Sequence, residues 1–139
     1  MEVSAQARIV SGWDVLAFYA DVDAEITEDT TFAVGNQLSN TPRHRGGLWT
    51  TWRFPSGPLR GLGAGFGFRY VGERPVDLGN SVTLSDYVVL DAELFYRRGR
   101  LSVDLNFKNV TDETYFNGNG TFNSSGEPFS VLGRVAWSF

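Results

Sequence analysis

Residues 131–139 read VLGRVAWSF, and this short stretch governs how the other segments are interpreted. Alternate positions Val131, Gly133, Val135, Trp137 and Phe139 are apolar or small, the period-two pattern of a strand with one apolar face. Terminal residues of soluble domains are usually polar and frayed, because unburied ends cannot offset their ordering entropy. An aromatic ring at the last position instead reads as strand up to the final residue.

The same alternation extends through the chain. Seven segments carry it, at about 2–10, 14–27, 46–54, 61–71, 87–97, 100–109 and 129–139, and no stretch has a helical period. Their connections run short, long, short, long, short, long: the turn at Ser11-Gly12-Trp13, the loop near 28–45, PSGPLRG, GERPVDLGNSVTLS, RRGR, and DETYFNGNGTFNSSGE. That rhythm predicts an all-β, antiparallel up-and-down meander of about seven strands with one end decorated by long loops, as in outer-membrane barrels.

One parity in each segment is apolar. It comprises Val3 to Ile9, Leu16 to Ile26, Leu48 to Phe54, Leu62 to Tyr70, Val88 to Tyr96, Leu101 to Phe107, and the closing set. The other parity carries the mid-strand charges Arg8, Asp21, Asp23, Glu25, Arg53, Arg69, Asp91, Glu93, Arg97, Asp104, Lys108 and Arg134. Alternation alone fits a soluble sandwich as well as a membrane barrel. The aromatics tilt the balance. Trp52, Phe54, Tyr96, Trp137 and Phe139 gather at the short-turn end of the apolar face and Tyr70 and Phe107 at the other, the arrangement of interfacial girdles.

Composition bounds the rest. The 139 residues fit one domain, and 14% aromatics with 16 glycines favour strands and turns. A net charge of -4 without a basic cluster argues against a nucleic-acid partner. The absence of cysteine and the single histidine exclude disulfides, thiolate centres and histidine-rich metal sites. MEVSAQARIV is not a secretory signal, and no run of about 18 apolar residues offers a membrane helix. The start in mid-strand sequence suggests a segment of something longer.

Motifs with chemical potential are few. GLGAGFG (61–67) has no following helix to bind phosphate, so Gly63, Gly65 and Gly67 read as a flat inner wall that allows curvature or close approach of another element. Asp21, Asp23 and Glu25 read as lumen carboxylates rather than a calcium or acid–base site. No nucleophile, histidine and acid can be arranged around one loop histidine, so an enzyme is not expected.

Five segments in order carry a resemblance: LSNTPRHRGGLWTTWRF (38–54), GFGFRYVGERPVDLGN (65–80), LSDYVVLDAELFY (84–96), LNFKNVTDETYF (105–116) and GEPFSVLGRVAWSF (126–139). Together they resemble the carboxyl-terminal strands of TonB-dependent siderophore receptors. Asn40–His44, Tyr70–Gly72 and Asn109–Tyr115 are the most specific matches; Ser39, Ser85 and Asp86 depart from the pattern in loops.

The resemblance implies a bacterial outer-membrane barrel of about 22 strands, plugged by an amino-terminal domain, that imports ferric siderophores with energy relayed by TonB. Residues 1–139 would be its carboxyl-terminal wall, without plug or TonB box and not transport-competent alone. Iron would enter only within the siderophore, with no cofactor or protein-bound metal. Expected partners are outer-membrane lipid, the barrel-assembly machinery reading Val135, Trp137 and Phe139, TonB through the missing plug, and the ferric siderophore. Cations and flat rings at the long-loop end make Arg43, His44, Arg45, Trp49, Arg74, Tyr115 and Phe116 the candidate ligand contacts. The alternative is a soluble or engineered β-sheet binding module, or a truncated fragment without function.

Overall fold

The computed structural model describes residues 1–118 and 123–139. Seven long strands form one antiparallel sheet: β1 (Glu2–Val10), β2 (Trp13–Asp21), β3 (His44–Arg53), β4 (Leu62–Val71), β7 (Tyr87–Arg98), β8 (Leu101–Lys108) and β11 (Ser130–Trp137). Each pairs with its neighbour in chain order. The remaining strands lie in the long connections, as two small hairpins: β5 (Arg74–Pro75) with β6 (Thr83–Leu84), and β9 (Phe116–Gly118) with β10 (Asn123–Ser125). The wall strands contain 8 to 12 residues, close to the roughly 9–11 that a tilted strand needs to cross a bilayer.

Register assigns every side chain to a face, because directly paired residues point the same way. The row Leu48, Phe68, Leu90 lies on one face, as do Thr50, Phe66, Ala92, Phe107, Val131 and Ala64, Leu94, Leu105, Gly133. Trp52 and Trp13 stand opposite one another near the short turns. Among the described residues nothing covers this face: Leu94 is 49% exposed, Leu105 41% and Val135 73%. A soluble sandwich would pack these side chains inward. An uncovered apolar band bordered by aromatics is the outer surface of a membrane barrel.

The opposite face is polar and laced with ion pairs, including Arg8–Asp14 at 2.8 Å, Arg97–Asp104 at 2.8 Å and Lys108–Asp91 at 3.7 Å. It also carries the glycines of β4, which do not leave bare wall. A Cβ on Gly65 would lie 2.7 Å from the Trp49 ring, one on Gly67 2.5 Å from it, and one on Gly63 2.3 Å from Phe95. Rings from the flanking strands therefore lie down over β4, and the glycines are the space they occupy.

Two expectations fail at β2. The predicted segment 14–27 stops at Asp21, and beyond it only the bridge Glu25 to Gln37 continues the pairing. Its parity is also reversed: Leu16 pairs with Gln6 and Trp49, and Phe18 with Ser4 and Gly47, so these two face inward while Trp13, Val15, Ala17 and Tyr19 face outward. The reason is that WDVLAFYAD is apolar on both parities, so its pattern cannot choose. The turn chooses instead. Gly12 at φ 91° pairs Val10 with Trp13, and a bulge between Arg8 and Val10 absorbs the odd residue. Gly12 also accepts the Arg53 amide at 2.7 Å, and a Cβ there would sit 2.2 Å from the Arg53 carbonyl oxygen, so the turn is pinned to the next strand end.

Asp21 and Asp23, expected in the lumen, lie at and beyond the outer end of β2. Each is 3.8 Å from Arg43.

Face assignment predicts opposite outcomes at adjacent positions. Leu105→Arg, at the middle of the apolar face, should cost about 2–4 kcal/mol of folding free energy in a bilayer. Asn106→Arg, one residue on and facing Glu93, should cost far less. Equilibrium unfolding of the bilayer-inserted receptor that contains this segment measures both.

Candidate functional site

All three long connections, 22–43, 72–86 and 109–129, leave the same end of the sheet. The first two are zipped together by side-chain amides. Asn36 Nδ2 donates to the Leu78 carbonyl at 2.8 Å, the Gln37 amide to Asn80 Oδ1 at 2.9 Å, and Asn80 Nδ2 back to the Gln37 carbonyl at 2.8 Å. Asn80 sits at φ 52°, a left-handed conformation that asparagine tolerates better than most residues. Asp77 closes the 77–81 turn by accepting from the Ser81 hydroxyl and from the Ser81 amide at 3.1 Å, and these bonds hold its carboxyl below the usual range.

The third connection is built on Asn109, buried and at φ 49°. Its Nδ2 donates to the carbonyls of Glu113 (2.9 Å) and Glu127 (3.0 Å), while its Oδ1 accepts the Glu113 amide (2.9 Å). Its own amide reaches Asp91 Oδ1 at 2.9 Å. Asp112 Oδ1 then accepts the Phe129 amide at 2.9 Å. Two side chains thus tie both ends of the loop to the top of β8. Tyr115, also buried, packs so closely on Gly126 that a Cβ there would fall 2.1 Å from its ring.

The seven residues proposed from sequence fall into three groups. Arg43 and His44 stand at the outer rim, lining an open cleft of about 380 Å³ with Tyr70, Glu73 and Asp86. His44 Nδ1 is 2.9 Å from the Tyr19 hydroxyl, and the two rings stack at 6.2 Å. Arg45 and Trp49 face inward. Arg45 pairs with Glu2 at 3.0 Å and borders a 400 Å³ hollow with Phe18, Arg69 and Val71. Trp49 lies over Gly65 and Gly67 and donates to Thr51 Oγ1 at 2.9 Å.

The third group, Arg74, Tyr115 and Phe116, meets between the loops. Tyr115 stacks on Tyr87 with centroids 4.3 Å apart, and Arg74 lies 5.2 Å from the Tyr87 centroid. Phe116 keeps its ring exposed while its carbonyl accepts from Arg74. Asn40 and Tyr87 complete these contacts, Asn109 anchors the loop that carries Tyr115, and none of the three was singled out as a site residue by sequence reasoning. The signal was available, since Asn40 and Asn109 open two of the specific motifs.

A family model described as TonB dependent receptor-like, beta-barrel, matches residues 1–110. The chain belongs to that family. It is 36% identical over 131 residues to the ferrichrome outer membrane transporter/phage receptor of Escherichia coli, an alignment covering 88% of this chain and 17% of the relative. With the ferrioxamine B receptor of Salmonella typhimurium it shares 27% identity over 146 residues, covering all of this chain and 21% of that one. Among solved structures, the siderophore receptor PiuA of Acinetobacter baumannii superposes with a TM-score of 0.85 at 25% identity, over 98% of this chain and 21% of PiuA.

The chain therefore spans about a fifth of the length of these relatives. The TonB-dependent receptor family consists of outer-membrane β-barrels that act as receptors and transporters rather than enzymes, and the sheet is a piece of such a barrel's wall. The three stretches that match the resemblance most specifically lie at the loop ends: Asn40 to His44 ends the first loop, Tyr70 to Gly72 opens the second, and Asn109 to Tyr115 opens the third.

Two outcomes follow from these anchors. Asn109→Gly keeps the left-handed backbone but removes the side chain that bonds the Glu113 amide and the Glu113 and Glu127 carbonyls, at about 0.5–1.5 kcal/mol for each bond lost. Hydrogen exchange of residues 109–116 should rise accordingly. For Asp77 the carboxylate form is the one the turn favours, so its contribution is present above the ordinary carboxylate range and lost as pH falls through its depressed value. Exchange of the Ser81 amide, referenced to a free peptide, should accelerate at the acid end of that window and lose this dependence in Asp77→Ala.

Proposed function

We propose that this segment is part of the wall and outer rim of a longer receptor that takes up ferric siderophores across the outer membrane, using energy relayed by TonB through a plug domain. The segment serves as a wall and is not transport-competent alone. The observation that carries this reading is the division of labour across the sheet: an uncovered apolar face for lipid, and an inner upper wall holding Arg45 and Arg69 beside the Phe18 ring. Fixed cations next to flat rings suit an anionic chelate carrying aromatic or extended polar arms. The names of the relatives, receptors for ferrichrome and ferrioxamine B, support the same class of cargo.

Within that reading Arg43, Arg45 and Phe116 are the contacts offered to ligand, His44 borders them, and Trp49 lies deeper on the path inward. Arg74 and Tyr115 contribute by holding the loops. Strand β11, with Val135 and Trp137 on its lipid parity and Phe139 beyond it, supplies the assembly signal for the barrel-assembly machinery.

The test is a full-length receptor carrying Arg43→Ala, Arg45→Ala and Phe116→Ala together. Titration with ferrichrome, ferrioxamine B and a ferric catecholate should show at least one affinity reduced roughly tenfold or more, with normal barrel assembly. Unchanged affinity for a chelate that the parent binds would remove these residues from the site.

A further inference from the structure

A buried arginine is costly unless its five donors find acceptors and its charge finds a carboxylate. Arg74 is 2% exposed and, among the described residues, makes four donor bonds and meets no carboxylate. Among the described residues it takes part in no ion pair. Its guanidinium is satisfied by neutral groups in four directions: Nε donates to Asn40 Oδ1 at 3.0 Å, Nη1 to the Gly72 and Ser85 carbonyls at 3.4 Å each, and Nη2 to the Phe116 carbonyl. One face lies over Tyr87, which stacks on Tyr115.

The acceptors belong to different loops. Asn40 is in the first, Gly72 and Ser85 are the two ends of the second, and Phe116 is in the third. The Asn40 amide closes the contact in reverse by donating to the Pro75 carbonyl at 2.8 Å. Asn40 holds φ 53°, so its backbone is bent to present that side chain. The planar fork is what allows one side chain to reach four acceptors and still offer a flat face to a ring.

We propose that Arg74 is a positioning residue: a three-way tie that makes the outer loops of this sheet one mechanical unit, so that a displacement of any one is resisted by the other two. The tie does not depend on what the receptor binds. Where the ferric-siderophore reading also holds, contact at one loop is carried to the others through this residue.

The experiment is hydrogen exchange of the full-length receptor, without ligand, followed by peptides from all three loops. Arg74→Lys keeps the charge but supplies one nitrogen and no plane; Arg74→Met removes both. Both variants should accelerate exchange about tenfold or more at 36–41, 72–86 and 109–118 together, with wall strands unchanged. Acceleration confined to 72–86, or restoration by lysine, would overturn the tie.

Should these variants fail to assemble, Asn40→Gly removes one arm while keeping the backbone conformation accessible. It should loosen 113–118, a segment that Asn40 reaches through Arg74 among the described residues, and Asn40→Asp should restore it. Exchange at 113–118 indifferent to both Asn40 variants would equally overturn the proposal. Because no chelate is present, failure here is separate from failure of the uptake reading.

Discussion

A peptide group in hydrocarbon has no water to bond, and leaving one unpaired costs several kcal/mol. Everything about this sheet is subordinate to that constraint. It requires each wall strand to be paired along its length with the next, which the consecutive order of the seven strands achieves with the least chain. It confines the irregular backbone to the two ends, the long connections with their short strand pairs at one and the short turns at the other. It also leaves β1 and β11 with one unpaired edge each, so the wall is complete only when further strands lie against both.

Once pairing is fixed, side chains sort by what each face meets. The outer rows need only be apolar, and they are packed loosely enough to stand exposed. The inner rows do more. Ion pairs cross from strand to strand, and the rings of Trp49 and Phe95 lie over the β4 glycines. Above them, beside the small cluster of Tyr87, Val89 and Tyr115, the loops are held by polar anchors: amides, carbonyls, the Asp77 and Asp112 carboxylates and the Arg74 guanidinium.

Strand number, order and the outward parity of most strands were legible because period two leaves little choice where one face is charged. β2 was not, because both of its parities are apolar and its register is set by a glycine turn and a bulge rather than by pattern. The candidate residues were legible as a chemical type, cations and rings near long loops, but not as a group. Rim, inner wall and loop junction are separated by which way a strand end points and by whether a loop folds back, and neither is written in local spacing. Arg74 illustrates the limit. Its sequence neighbourhood marks an exposed turn, whereas the acceptors that bury it come from residues 34 and 42 positions away.

The ring-over-glycine packing has a further consequence for descent. Trp49 and Gly65 or Gly67 are a single shape divided between two strands, as are Phe95 and Gly63. Drift at either member alone meets a steric barrier, since enlarging the glycine strikes the ring and shrinking the ring opens a void. Lineages of this wall can therefore change its inner relief only by paired replacement across a strand boundary, and the texture of the lumen should be inherited in blocks rather than residue by residue.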